Sequence, residues 1–320
     1  MLENLIFSLN STMPLFFMMV LGYVLYQKKF LTADFVAVAN KFVYNVTLPV
    51  MLFKDLAATD IRASFDGRFV GFCAGATAVS ILTIWGLCHL FLKDKSLVGE
   101  FVQACYRSSA AILGTAFIQN IYGTTGMSGL MILGSVPLYN VFAVLILVLE
   151  SPAGGAHTEP LGKKLRRSVG KIFTNPTLIG IAAGFAASLL RLPIPTMVGK
   201  TLSSLGGMTS PLALLAIGAG FQGTAALAKL KPTVGATLIK LVVLPAIFLP
   251  LAVQLGFTDQ KLVALLVMLG TITTPSAYVM AKQLGHDGTL TGSVCAATTL
   301  FSAVTLPLWL FWARSGGYIL

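Results

Sequence analysis

Ten apolar runs follow one another along this chain, each a candidate to cross a bilayer as a helix, and most connections between them are short. They cover approximately Leu5–Gln27, Phe35–Leu56, Arg68–Leu92, Glu100–Tyr122, Ser128–Leu149, Asn175–Leu190, Leu205–Leu227, Thr233–Leu255, Lys261–Leu284 and Thr289–Trp312. A helix needs about 20 apolar residues to cross a hydrocarbon core about 30 Å thick. Only 10% of the 320 residues are charged and the mean hydropathy is +0.85, where a soluble domain carries about 25% charged residues. A chain so poor in polar groups cannot cover a water-facing surface. The expectation is an all-α integral membrane protein with ten transmembrane helices and membrane lipid around it, and a soluble enzyme is excluded.

The formal charge of +11 does not point to nucleic acid, because the basic residues are scattered between apolar runs. They report orientation instead, since Lys and Arg are enriched in cytoplasmic connections. Twelve lie after the first, third, fifth, seventh and ninth runs, five of them in the one long connection as Lys163, Lys164, Arg166, Arg167 and Lys171; seven lie on the other side. Both termini are therefore predicted outside, in a multi-pass cell-membrane protein. Lys41, Arg107 and Lys240 fall within runs.

Sliding the chain against itself by 162 residues aligns Thr12 with Thr174, Pro14 with Pro176, Gly22 with Gly184, Thr47 with Thr209, Pro49 with Pro211, Gly123 with Gly285 and Gly126 with Gly288. One shared offset predicts an internal repeat, residues 1-150 and 172-320, joined by a basic cytoplasmic linker, 151-171. Five helices per copy is an odd number, so the second copy enters from the opposite side, as in the inverted repeats of secondary transporters.

Irregular backbone in a bilayer is tolerated only where it is buried in protein or lines a cavity. The fourth run carries Arg107-Ser108-Ser109 and then Leu113-Gly114, and the ninth carries Thr273-Thr274-Pro275-Ser276. At the 162 offset Leu113 falls on Pro275 and Gly114 on Ser276. If both helices break and cross there, half-helix N-termini and hydroxyls converge into an anion site; ordinary small-residue helix packing is the alternative. Arg107, about 10 Å deep at 1.5 Å per residue, either contacts an anionic substrate or snorkels to headgroups. Asn45 and Pro49 mark a kink or a site in the second run. Tyr139 and Asn140 in the fifth are packing hydrogen-bonders or site residues.

Cys73, Cys88, Cys105 and Cys295 lie in or beside apolar runs without metal-ligand spacing and are expected as buried thiols. His89, His157 and His286 lie at run ends or in loops and are expected to be solvated. No cofactor or metal motif, nucleophile triad or phosphate-binding loop is present, so a membrane enzyme is the least expected class. All eleven acids fall in connections or within about a turn of a run end, which leaves no mid-span carboxylate for ion coupling. Carbonyls and the hydroxyls of Ser108, Ser109 or Thr273 remain as sodium ligands.

The Asn40-Lys41-Phe42-Val43 run leading to Pro49, Tyr106-Arg107-Ser108 with Tyr122-Gly123, Asn175-Pro176, and Pro275 followed by Ala281-Lys282-Gln283 resemble the auxin efflux carrier family over nearly the whole chain, in its short prokaryotic-type form. The resemblance implies a ten-helix inverted repeat related in fold to bile acid:sodium symporters, with helices 4 and 9 crossing at the substrate site. It also implies a scaffold of helices 1, 2, 6 and 7, a mobile domain from helices 3-5 and 8-10, elevator-like motion and a homodimer. Members often carry Asn after the Arg-Ser and a Gly-x-Pro at the break of helix 4; this chain has Ser109 and Gly114-Thr115-Ala116. The function expected is secondary transport, most simply export, of a small organic anion such as a carboxylate. A transporter-like sensor and a small-ion channel are the competing classes.

Overall fold

A computed structural model describes residues 2–58, 66–123, 127–151, 174–221 and 223–319. Arg62, His157, Asp60, Glu159, Gly126 and the linker from residue 152 to 171, with its five basic residues, lie outside the described residues. The described chain is helical throughout, and its one β feature is a single bridge between Ser108 and Thr273. Among the described residues, six stretches are long and apolar enough to cross a membrane: Ala33–Ala57, Gly67–Phe91, Ser128–Leu149, Thr196–Ala219, Leu230–Gln254 and Thr289–Ser315.

In chain order the helices are α1 (Leu2–Gln27), α2 (Ala33–Phe42), α3 (Leu48–Ala57), α4 (Gly67–Phe91), α5 (Val98–Tyr106), α6 (Thr115–Tyr122), α7 (Ser128–Leu149) and α8 (Pro176–Leu189). They continue as α9 (Thr196–Gly207), α10 (Thr209–Ala219), α11 (Gly223–Ala228), α12 (Leu230–Leu238), α13 (Leu244–Gln254), α14 (Asp259–Gly270), α15 (Pro275–Gln283) and α16 (Thr289–Ser315).

Two prolines shape long helices in the same way. Pro49 and Pro245 have no N–H and would clash with the carbonyl four residues back. In both places a π-turn precedes the proline, Val43–Thr47 and Ile239–Val243, and the residue before the proline donates to the carbonyl five back, Leu48 N–H to Val43 and Leu244 N–H to Ile239. The extra residue widens the turn, so each helix continues through its proline. Asn45 serves this turn too, donating from Nδ2 to the Lys41 carbonyl at 2.8 Å.

The seventh run starts earlier than its sequence suggests. Lys200, Thr201, Ser203 and Ser204 read as a connection, yet α9 begins at Thr196 behind the extended Pro195. The Thr201 hydroxyl donates back to Met197 O at 3.1 Å, which satisfies it within the helix. Lys200 accordingly lies inside a helix rather than in a connection.

Glycines set the closest helix contacts. α1 packs on α10, where a Cβ on Gly22 would stand 2.3 Å from Leu215 O and one on Gly218 would stand 1.9 Å from Met19 O. α3 packs on α8, where a Cβ on Gly184 would stand 2.6 Å from Phe53 O. Gly22 and Gly184 are 162 residues apart, and so are Phe53 and Leu215. The two contacts are therefore the same contact with the halves exchanged.

At the helix ends, Asp66 caps α4 by accepting from Arg68 N (3.1 Å) and Phe69 N (3.0 Å), while Lys261 at the start of α14 bonds its other oxygen at 2.7 Å. The Lys261 bond, followed by the Phe69 amide, holds the Asp66 carboxyl below the usual carboxylate range. At another connection, burial pushes Asp287 upward, but Lys229, 2.5 Å away, together with Thr289 and Lys282 leaves the net shift downward.

Candidate functional site

The fourth and ninth helices both break, and the breaks meet. α5 ends at Tyr106; Arg107 is extended, Ser108 pairs antiparallel with Thr273, and Ser109 N–H donates to Ile272 O at 3.0 Å. Helix resumes at Ala110 as a π-turn, with Leu113 N–H (3.0 Å) and Gly114 N–H (3.2 Å) both donating to Ser109 O, and then runs on as α6. On the other side α14 stops at Gly270, and α15 restarts at Pro275, whose missing N–H costs nothing in the first turn.

No proline breaks the fourth helix. Its last carbonyls are instead taken by side chains from elsewhere: Thr273 Oγ1 donates to Ala104 O at 2.8 Å, and Lys240 Nζ donates to Tyr106 O at 3.1 Å. Helix ends leave carbonyls that need partners, and here both partners arrive from the second half of the chain. Thr273 is also held by its own N–H, which donates to Thr298 Oγ1 at 3.0 Å.

Arg107 is 2% exposed, so it points into the protein and does not snorkel. Its Nη2 donates to Asn140 Oδ1 at 2.9 Å and Ser276 Oγ at 3.3 Å, Nη1 is directed at Met280 Sδ, and Nε is buried without a partner. Asn140 is aligned by its own Nδ2, which donates to Val136 O at 2.9 Å. Lys240, 0% exposed, bonds Tyr106 O and the Ser108 hydroxyl, and Ser108 in turn donates to Met268 O. Among the described residues neither cation has a carboxylate within ion-pair distance. Burying a charge without a counter-charge is costly; the Lys240 ammonium is met by two oxygens, whereas the Arg107 guanidinium keeps its Nε without a partner.

A narrow cleft, with a cavity volume of about 30 Å³, opens on the break. Arg107, Ser108, Ser109, Tyr139, Asn140, Thr274 and Ser276 line it on one side, with Ala110, Ala111 and Val136; Leu48, Met51 and Leu52 of α3 close the other. Of the remaining sequence-picked residues, Thr273 and Pro275 are buried in the ninth-helix break behind this lining, and Leu113 and Gly114 in the fourth. Tyr139 is locked in place, its hydroxyl donating to Met268 O at 2.9 Å while Tyr106 Oη donates to its carbonyl at 3.2 Å. Asn45 is exposed and serves its own π-turn, and Pro49 packs its carbonyl on Gly180; the structure does not bring these two into the cleft.

Three residues surpass what sequence reasoning assigned them. Lys240 was legible as the lone charge between Lys231 and Asp259. Glu100, near a run end as expected, is 1% exposed and accepts from Gly288 N, Thr291 N and Thr291 Oγ1, pinning α5 to the start of α16. His286 is buried rather than solvated, with Nε2 2.8 Å from Leu147 O, because Gly99 leaves room for its ring. His89 is exposed beside Glu150 as expected, and all four cysteines are buried free thiols.

No curated protein matches the chain. The family model described as Membrane transport protein matches residues 7–310. A chain of apolar helices that matches this model over nearly its whole length is an integral membrane protein of a transporter family: it belongs to the auxin efflux carrier-type membrane transport family.

Proposed function

We propose that the protein is a secondary transporter of a small organic carboxylate, which binds in the cleft at the two helix breaks and leaves the cell through it. The observation that carries this reading is Arg107: buried, without a carboxylate partner among the described residues, and with its guanidinium beside the cleft. The Ser108, Ser109, Thr274, Ser276 and Asn140 side chains add polar groups that can orient a carboxylate, while Leu48, Met51 and Leu52 suit an apolar body.

Ten spans in two inverted five-helix repeats are the architecture of this reading. The six long helices, the apolar segments Met13–Gln27 and Pro176–Leu189, and the two interrupted pairs α5/α6 and α14/α15 supply that number. The exchanged contacts Gly22 to Leu215 and Gly184 to Phe53 support a twofold relation between the halves. The cleft lies between α3, in the proposed scaffold of helices 1, 2, 6 and 7, and residues of the proposed moving set, helices 3-5 and 8-10. That division supports elevator-like motion, in which the breaks slide past α3. The protein acts as a homodimer in the cell membrane, with both termini outside and the linker 151-171 inside.

A thermal-shift screen of purified protein against aliphatic and aromatic mono- and dicarboxylates tests the binding claim. At least one carboxylate is expected to raise Tm saturably, and its matched neutral amide is not. A panel in which only neutral or cationic compounds stabilise the protein would overturn the anion reading.

A further inference from the structure

Lys240 is the second buried cation, and the proposed function uses only the first. It sits on the π-turn Ile239–Val243 that precedes Pro245. Its ammonium is held by two neutral oxygens, the Tyr106 carbonyl at the C-terminal end of α5 and the Ser108 hydroxyl in the break. A helix C-terminus carries negative partial charge, and freed carbonyls at half-helix C-termini are the groups with which broken-helix carriers coordinate sodium. The ammonium therefore occupies oxygen ligands suited to a small monovalent cation.

The same contacts tie the two breaks together. Ser108 accepts from Lys240 while donating to Met268 O of α14, and Ser108 is also the residue bridged to Thr273. A cation at this point holds α5, the break and α14 in register. A sodium ion would do so only while bound; a side chain tethered at residue 240 cannot diffuse away.

We propose that the Lys240 ammonium is a tethered replacement for a coupling cation, permanently filling a monovalent-cation position at the break of the fourth helix. The inference rests on reading the break as the transport site. It adds that the site is assembled without any free ion, so no sodium gradient can be harvested there.

The test needs no substrate. Thermal unfolding of the purified full chain is followed in choline, sodium and methylammonium chloride at equal ionic strength, for the parent protein, Lys240→Ala, Lys240→Ser and Arg107→Met. The parent is expected to have one Tm in all three salts. Both Lys240 variants are expected to fall in choline and to recover saturably by about 5 °C in sodium or methylammonium, the size of shift that a ligand well above its dissociation constant gives. No recovery in either variant, or failure of both to fold in every salt, overturns the proposal, because a vacated cation position should refill. A parent Tm that itself rises saturably with sodium overturns it as well. Arg107→Met separates the two readings: it is expected to show no cation response but to lose carboxylate stabilisation. A carboxylate panel that fails while the Lys240 variants recover leaves the cation position standing and sinks the anion reading alone.

Discussion

Arg107→Ala is expected to weaken binding of any carboxylate that stabilises the parent protein by about 30-fold or more, since truncating one partner of a buried charge pair costs about 2–5 kcal/mol. Its guanidinium reaches Asn140 and Ser276 through one nitrogen and faces Met280 through another, so its plane is fixed before a ligand arrives. Arg107→Lys keeps the charge and loses the fork. It is expected to bind about tenfold more weakly than the parent, because an ammonium cannot pair a carboxylate through two parallel bonds. Arg107→Met should leave the fold intact, as replacing buried charges by apolar groups is often neutral or stabilising. Titration of the stabilising carboxylate by thermal shift reads all three variants, and parent-like affinity in Arg107→Ala would remove the cleft as the binding site.

The second large effect is on folding. Gly218→Leu is expected to cost at least about 3 kcal/mol and to abolish a monodisperse peak in size-exclusion chromatography. A Cβ at that position would lie 1.9 Å from Met19 O and 2.8 Å from Met19 C, both backbone atoms that cannot step aside without separating α1 from α10. Gly75→Leu in α4 is the control, because nothing lies within 4 Å of a Cβ there, and it should behave as the parent does. Equal behaviour of the two variants would show that the close α1–α10 approach does not hold the fold together.

Much of this fold could be read from local chemistry. Apolar run length located the helices, and Pro275 marked the ninth-helix break because a proline needs no amide partner in a first turn. Pro49 likewise signalled an irregular turn, though its consequence is a widened helix that carries on. The fourth-helix break had no proline to mark it, only Ser108, Ser109 and Gly114 and their match to the ninth run at the 162 offset. It is held by Thr273 and Lys240, far along the chain, which capture the carbonyls that α5 leaves open. Sequence patterns report a residue's own preferences, so they marked where this helix end lies and left no trace of the distant side chains that satisfy it. His286 and Glu100 show the same limit, since both sit near span ends and are buried only because neighbouring helices close over them. Asn45 shows the converse: its type and position suggested a kink or a ligand contact, and its side-chain amide bonds the Lys41 carbonyl one turn back, outside the cleft lining.

Export driven by membrane potential is the central claim, and it rests on the buried Arg107 beside the cleft and on the lack of a mid-span carboxylate in the sequence. An anion leaving a cell with a negative interior moves downhill by about 2.3 kcal/mol per charge per 100 mV. The most direct measurement is efflux of a radiolabelled carboxylate, chosen as one that stabilises the protein, from proteoliposomes clamped with potassium and valinomycin. Sodium and pH gradients are imposed separately. The account predicts efflux that accelerates as the interior is made more negative and is unchanged by either gradient. Efflux that ignores voltage and requires a sodium or proton gradient, or saturable binding with no flux under any gradient, would contradict it.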